Sequence, residues 1–363
     1  PPVMPRSTHV LIDPSAFVHN LRQARALAPA SRLWAVVKAD AYGHGLVALH
    51  SALAEADGAA LIEFEQAREL RVRGWHKPVL MLEGAFDLAD TRQAAALKLA
   101  LTVHESRQVE WLGQLPDDAR VNVHLKLNTG MNRLGFGESE FAPVWARLKS
   151  MPQVGAITLM SHFANADVAG GTSEALARFD RITAPFQAER SLSNSAALLS
   201  CPAAHRDWVR PGIMLYGATP FSDRTARQLG LQAVMSFRST LIAVQHLQPG
   251  DAVGYGSSFV ADRAMPIGIV ACGYADGYPR HAPTGTPIAV AGVRTRTIGR
   301  VSMDMLAVDL TAVPEARPGS EVELWGRVIA VDDVASSAGT IGYELTCAIA
   351  PRVERRVIDN GSR

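Results

Sequence analysis

One lysine closes an apolar run. In "LWAVVKADAYGHG", Leu33 to Gly45, an apolar stretch reaches Lys38, and a small polar loop follows with Tyr42 and two glycines around His44. A lysine at the end of a strand is ordinary if it only reaches water. Further residues able to do chemistry stand at the ends of later apolar segments. Arg133 lies in "KLNTGMNRLGF", His162 in "SHFA", Ser195 in "SNS", and Arg210, Gly212 and Ile213 in "VRPGIMLYG". An amine held against an apolar strand and near cations suits a Schiff-base nucleophile. The Ser195 hydroxyl and the backbone N–H groups after Pro211 suit a phosphate. With an arginine at the far end of the same pocket, facing a ring nitrogen, these parts point to pyridoxal 5′-phosphate. An aldolase acting on a phosphosugar would need much the same parts without the arginine.

These residues can meet only if the elements carrying them converge. "LWAVV", "AALI", "VLML", "LKLALTV", "VNVHLKL", "AITLM", "RSLS" and "DWVR" read as strands. Between them stand segments such as "FEQARELRVRG" and "TSEALARFDRITAPFQAER", whose apolar residues recur at helical spacing. Eight strands alternating with helices predict a (β/α)8 TIM-type barrel, where functional groups gather at the C-terminal ends of the strands. A doubly wound sheet would show the same alternation. From about residue 230 the texture turns to period-two alternation and Gly/Pro turns such as "QPGD" and "PTGTP", which predicts a mostly β domain. The expected division is a barrel over 8–230 and a β domain over 231–363, with residues 1–7 a candidate addition to the latter.

Composition narrows the function. The 363 residues hold 36 Lys+Arg against 35 Asp+Glu, and no basic run tracks phosphates, so nucleic acid is not an expected partner. No apolar run approaches the ~20 residues that span a bilayer, so no membrane partner is expected. "PPVMPRSTHVLID" has no apolar signal core as given. Cys201, Cys272 and Cys347 are odd in number and far apart, which favours a reducing, cytoplasmic setting and no metal site built on thiolates.

"AVVKADAYGHG" resembles the cofactor-lysine signature of alanine racemases. The likeness continues in order through "KLNTGMNRLGF", "SHFA", "NSA", "VRPGIMLYG", "VGYGSSF", "GYADGYPR", "GRVSMDM" and "GYELTCAIAPRV", over nearly the whole chain. The resemblance implies a barrel binding pyridoxal 5′-phosphate, a C-terminal β domain and a head-to-tail homodimer with shared sites. It implies interconversion of L- and D-alanine, which supplies or degrades D-alanine for cell-wall metabolism. Carried over by motif, Lys38 binds the cofactor and is one catalytic base, and Tyr255, from the partner subunit, is the other. Tyr42, Ser195, Gly212, Ile213 and Tyr343 hold the phosphate, and Arg210 faces the pyridine nitrogen. Arg133 contacts the substrate carboxylate, as does Met303 of the second copy. Tyr274 and Tyr343 narrow the entrance, with Arg280 and Asp304 further out. The resemblance also implies that Lys126 is carbamylated and orients Arg133.

The chemistry accounts for these residue types. Racemisation takes a proton from one face of a carbon and returns one to the other, so two bases must flank it. Tyrosine, with a pKa near ~10, is a weak base at neutral pH and needs help. A hydrogen-bonded chain Tyr255–His162–Arg210 would supply it. His44 and His124, in apolar surroundings, read as structural, and the tryptophans as packing. Three relatives by fold are weighed against this: a cofactor carrier, which would lack "VGYGSSF"; a decarboxylase, which would place glutamate where Arg210 stands; and a zinc-dependent lyase, which would need a histidine after Cys347. A racemase of broader specificity for small amino acids is the remaining alternative.

Overall fold

The computed structural model describes residues 6–358. The first strand, β1 (His9–Ile12), precedes a helix over Pro14–Leu27. Local chemistry starts that helix: Asp13 caps it, accepting from the Ser15 and Ala16 N–H groups, and Pro14 stands where a missing N–H costs nothing. Its buried face is Ala16, Phe17, Asn20, Leu21 and Ala24. Fully burying Phe17 or Leu21 contributes roughly 1.5–3 kcal/mol each.

Eight parallel strands then close on themselves: β2 (Arg32–Val36), β3 (Gly58–Leu61), β4 (Val79–Met81), β5 (Ala100–Val103), β6 (Val121–Lys126), β7 (Val154–Met160), β8 (Glu189–Ser191) and β9 (Trp208–Val209). The ring is completed by β9 pairing with β2, Trp208 opposite Arg32. This is the expected TIM-type barrel. Strands buried on both faces explain the unbroken apolar runs. "LKLALTV" is shorter as a strand than expected, because Lys98 takes a left-handed φ of 51° and ends the preceding turn before β5 begins. The expected helices are present over Phe64–Val72 and Ser173–Thr183, the latter stopping short of Pro185. Inside the lower barrel Trp34 stacks on Trp208 at 4.2 Å. Gly58 lies beneath the Trp34 ring, where a Cβ would come within 2.2 Å of it.

The remaining chain is mostly β: β10 (Met235–Leu247), β11 (Ala252–Val253), β12 (Phe259–Val260), β13 (Met265–Val270), β14 (Pro287–Val290), β15 (Val293–Ile298), β16 (Leu306–Asp309), β17 (Glu321–Trp325) and β18 (Glu354–Val357). Two short helices, Val331–Ala338 and Gly342–Cys347, precede β18. An eight-stranded sheet runs β13-β16-β15-β14-β17-β10-β1-β18, while β11 and β12 form a separate hairpin. This corrects the expectation that the barrel starts at residue 8: His9–Ile12 pairs with β10 and β18 in the sheet, not with any barrel strand. Of the residues 1–7 considered for this domain, 1–5 lie outside the described residues. Arg6 pairs with Asp276 and Asp304, both in the β-rich part. Asp13 also binds Arg327 at 2.6 Å, so the cap of the first helix is tied to the sheet side.

Candidate active site

A cavity of about 750 Å3 opens at the C-terminal ends of the barrel strands. Lys38, just past β2, stands in its wall. The segment after it is unusual. Ala39, Asp40, Ala41 and Tyr42 all have φ between 52° and 54°, a left-handed turn built without glycine. Such a conformation costs roughly 1–2 kcal/mol per residue. Hydrogen bonds hold it: Ala41 N–H donates to the Val37 carbonyl at 2.9 Å, and Leu46 N–H donates to Asp40 Oδ1 at 2.8 Å. Gly43, at φ 78°, ends the turn and packs so close to the Thr346 carbonyl that no Cβ fits. Below, the Tyr42 ring stacks on Tyr216 at 4.6 Å, and Tyr216 donates its hydroxyl proton to the Val36 carbonyl. Strain placed directly after Lys38 fixes the direction in which the lysine leaves the strand.

At one end of the cavity Tyr42, Ser195, Gly212, Ile213 and Tyr343 come together. Ser195 begins a short helix capped by Asn194, and its Oγ accepts from the Gly212 N–H at 2.8 Å. A Cβ at Gly212 would lie 2.4 Å from the Tyr42 hydroxyl oxygen, so glycine leaves the space between them open. Burial pushes the Tyr42 and Tyr343 phenols well above their usual range, which keeps both protonated as donors. Hydroxyl donors around a glycine-lined gap form a cradle that suits a phosphate.

Arg210 lies at the cavity floor, 4% exposed. It donates to Ser191 Oγ at 2.8 Å, to the Ser161 carbonyl at 2.7 Å and to the Leu192 carbonyl at 3.1 Å. Burial pulls its pKa down to about 9, which leaves it charged at neutral pH. His162 follows β7 and touches Arg210 at 3.4 Å. Burial and the charges of Arg210, Lys126, Arg133 and Lys38 drop its pKa to about 2, so the imidazole is neutral.

Lys126, the last residue of β6, is 6% exposed, and its side-chain amine makes no hydrogen bond or ion pair among the described residues. Burial, with Arg210, Arg133 and Lys38 nearby, brings its pKa down to about 8, while Glu83 acts the other way. Arg133 projects from a loop braced by Asn128 Oδ1, which accepts from Gly130 and Asn132 N–H.

Five expected site residues are not brought to this cavity. Tyr255 is 74% exposed, at the tip of the β11–β12 hairpin. Tyr274 and Met303, 40% and 54% exposed, sit on adjoining loops joined by the Tyr274 N–H to Ser302 carbonyl bond. Arg280 is exposed, and Asp304 is held by Arg352 at 2.6 Å. All five lie in the β-rich part. Conversely, Glu83, His104 and Asn194 line the cavity without being among the expected site residues, as does Cys347, which the sequence marks only as a thiol without a partner for a metal. Glu83 and His104 follow β4 and β5, a position that could have marked them, as it marked Lys38 and His162.

Chain-wide comparison gives the same answer. The family model "Alanine racemase, N-terminal domain" matches residues 12–220, and "Alanine racemase, C-terminal domain" matches 234–357. The alanine racemase of Janthinobacterium sp. (strain Marseille) is 52% identical over 355 residues, 97% of this chain and 99% of the relative. The catabolic alanine racemase of Salmonella typhimurium is 51% identical over 351 residues, 96% of this chain and 99% of its own. Among solved structures, the biosynthetic alanine racemase of Pseudomonas aeruginosa superposes with a TM-score of 0.94 at 46% identity, covering 98% of this chain and 100% of that one. The Bartonella henselae alanine racemase with covalently bound pyridoxal phosphate gives 0.87 at 26% identity, covering 98% and 100%. With both domain models matched and half of all residues identical to full-length relatives, the chain belongs to the alanine racemase family.

Proposed function

We infer that this chain interconverts L-alanine and D-alanine with pyridoxal 5′-phosphate, at a site built by two copies of the chain. The family is pyridoxal-phosphate dependent, and the cavity fits that cofactor: an amine, a glycine-lined cradle of hydroxyls and a deep arginine occur in one space. Lys38 would hold it covalently, the Tyr42–Ser195–Gly212–Ile213–Tyr343 end would take its phosphate, and Arg210 would meet its ring nitrogen. Bound there, the cofactor supplies electron withdrawal that makes the substrate's α-proton acidic.

The chain's own residues do the rest. Lys38 Nζ takes or returns the proton on one face, and Tyr255 Oη of a second copy does so on the other. Arg133, with Met303 of the second copy, would hold the substrate carboxylate. Because Arg210 only donates, His162 accepts from it at Nδ1 and offers Nε2–H to the Tyr255 oxygen, favouring the phenolate. Tyr274, Arg280, Asp304 and Tyr343 are assigned to the entrance. Lys126 is proposed to carry a carbamate whose charge orients Arg133. The observation carrying the two-copy reading is the separation of the bases. Lys38 lines the cavity, while Tyr255 stands exposed on a hairpin outside it.

We place the reaction in the cytoplasm, in keeping with three unpaired cysteines. Among the described residues no helix is long and apolar enough to cross a membrane. The test is to load the protein with pyridoxal 5′-phosphate, follow its visible absorbance, and assay L-alanine by chiral chromatography. D-alanine should accumulate to near equality with L-alanine. Stable cofactor absorbance without any D-alanine would reject the activity.

A further inference from the structure

Glu83 is the one carboxylate among the described residues lining the catalytic cavity, a lining that also includes Lys38, Lys126, Arg133 and Arg210. Its position is set by the barrel. Met81, the last residue of β4, pairs with Leu101 of β5, and Val103 of β5 pairs with Leu125 of β6, so the turn that follows β4 and carries Glu83 lies at the same end of the barrel as Lys126, the last residue of β6. Two strand spacings separate β4 from β6 by roughly 10 Å, and although no ion pair joins the two side chains, the Glu83 charge reaches the Lys126 amine and favours its charged form. The turn carrying Glu83 is tightly held. Its carbonyl accepts from His104 Nε2 at 2.9 Å and from Gln108 Nε2 at 3.3 Å. Gly84 follows at φ 75°, where a Cβ would lie 2.2 Å from the Thr102 carbonyl oxygen. The backbone that presents Glu83 is therefore fixed at the cavity wall, and the residue is half-buried there.

We propose that Glu83 sets the carbon dioxide loading of Lys126, and through it the response of the enzyme to dissolved carbon dioxide. This rests on the reading of Lys126 as a carbamylated lysine. The step balances without any other reactant. The neutral Nζ amine attacks carbon dioxide, an N–C bond forms, one C=O π pair moves onto oxygen, and one amine proton leaves to solvent. A side chain that was positive or neutral becomes negative. Arg210, Arg133 and Lys38 favour both stages, because they disfavour the ammonium and attract the carbamate. Glu83 opposes both, because its charge favours the ammonium and repels the new anion. The opposing carboxylate keeps the loading below saturation and therefore adjustable.

The experiment uses holoenzyme equilibrated with 13C-bicarbonate at fixed pH and ionic strength, with the carbamate carbonyl resonance followed by 13C NMR. Lys126→Ala assigns the resonance by removing it. Glu83→Gln should half-saturate at about three- to tenfold lower bicarbonate than the unaltered enzyme, the scale expected for one partly screened charge. Glu83→Asp, which keeps the charge, should stay within about twofold of the unaltered enzyme and covers the case that the amide variant misfolds. A resonance present in the unaltered enzyme but with the same midpoint in Glu83→Gln overturns the role of Glu83 and leaves the Lys126 reading standing. No Lys126-dependent resonance at saturating bicarbonate overturns that reading, and the present proposal with it.

Discussion

Arg210 Nη2 lies 3.4 Å from His162 Nδ1, and since a guanidinium can only donate, the imidazole accepts there and carries its proton on Nε2. The other Arg210 contacts are to oxygens of Ser161, Ser191 and Leu192. A group so placed offers hydrogen bonds to its neighbours but no proton.

Arg210→Glu reverses that character. A carboxyl group at the ring nitrogen lets the cofactor withdraw electrons more strongly, and it also removes the donor that sets the His162 tautomer. Racemisation should slow by about a hundredfold, the scale of losing one positioned acid–base partner. Conversion of the cofactor to its amine form, the product of transamination, should rise relative to racemisation. Both are measured in one incubation with L-alanine. An unchanged ratio of the two products would take Arg210 away from the ring nitrogen.

The strand-and-helix alternation of the barrel was legible because parallel strands buried on both faces leave continuous apolar runs. The residues following those strands, Lys38, His162 and Arg210 among them, were legible as a site once the barrel was recognised. β1 was not. Four residues of strand carry no sign of their partners, and those partners lie some two hundred residues or more away in β10 and β18. Nor was the left-handed turn over Ala39–Tyr42 legible, since alanine and tyrosine ordinarily avoid that region and the surroundings impose it. Glu83 carries no local sign of its place in the cavity, because a carboxylate after a strand usually reaches solvent. Tyr255 and Met303 came from family likeness alone, because nothing local distinguishes an exposed side chain that awaits a second copy.

Relief of the left-handed turn gives a stability prediction. Ala39 is exposed and left-handed, so Ala39→Gly removes a steric cost and loses little packing. The gain should be about 1 kcal/mol, after the extra freedom that glycine gives the unfolded chain is set against it. Ala41 is left-handed but fully buried, so Ala41→Gly should gain less. Denaturant midpoints check both. A fall in stability for Ala39→Gly would mean that its methyl group supports the turn.

Acid stability should depend on two buried histidines. Burial lowers His44 to about 4 and His124 to about 3, from an ordinary value of 6.5. Each must stay neutral while folded. Stability is therefore complete above pH 6.5 and is lost as pH falls below it, because the unfolded chain takes up protons that the folded one refuses. At pH 5 the loss is about 2 kcal/mol per histidine. His124→Met should lose less between pH 7 and pH 5 than the unaltered chain, by about one histidine's share. Equal losses would show that His124 does not titrate on unfolding.

The shared site is tested by mixing lesions. Lys38→Ala removes the base that lines the cavity, and Tyr255→Phe removes the one exposed on the hairpin. Each homodimer alone should fall below about a hundredth of normal activity. In a heterodimer built across two copies, one site receives both lesions. The other takes Lys38 from the Tyr255→Phe chain and Tyr255 from the Lys38→Ala chain, and is intact. Half of normal activity per heterodimer should return, and it should fall on dilution as the copies part. If both bases came from one chain, every site in the heterodimer would carry a single lesion and activity would stay at the homodimer level. A confirmed heterodimer without recovered activity would therefore place the second base within the same chain, which would require the Tyr255 hairpin to fold back over its own barrel.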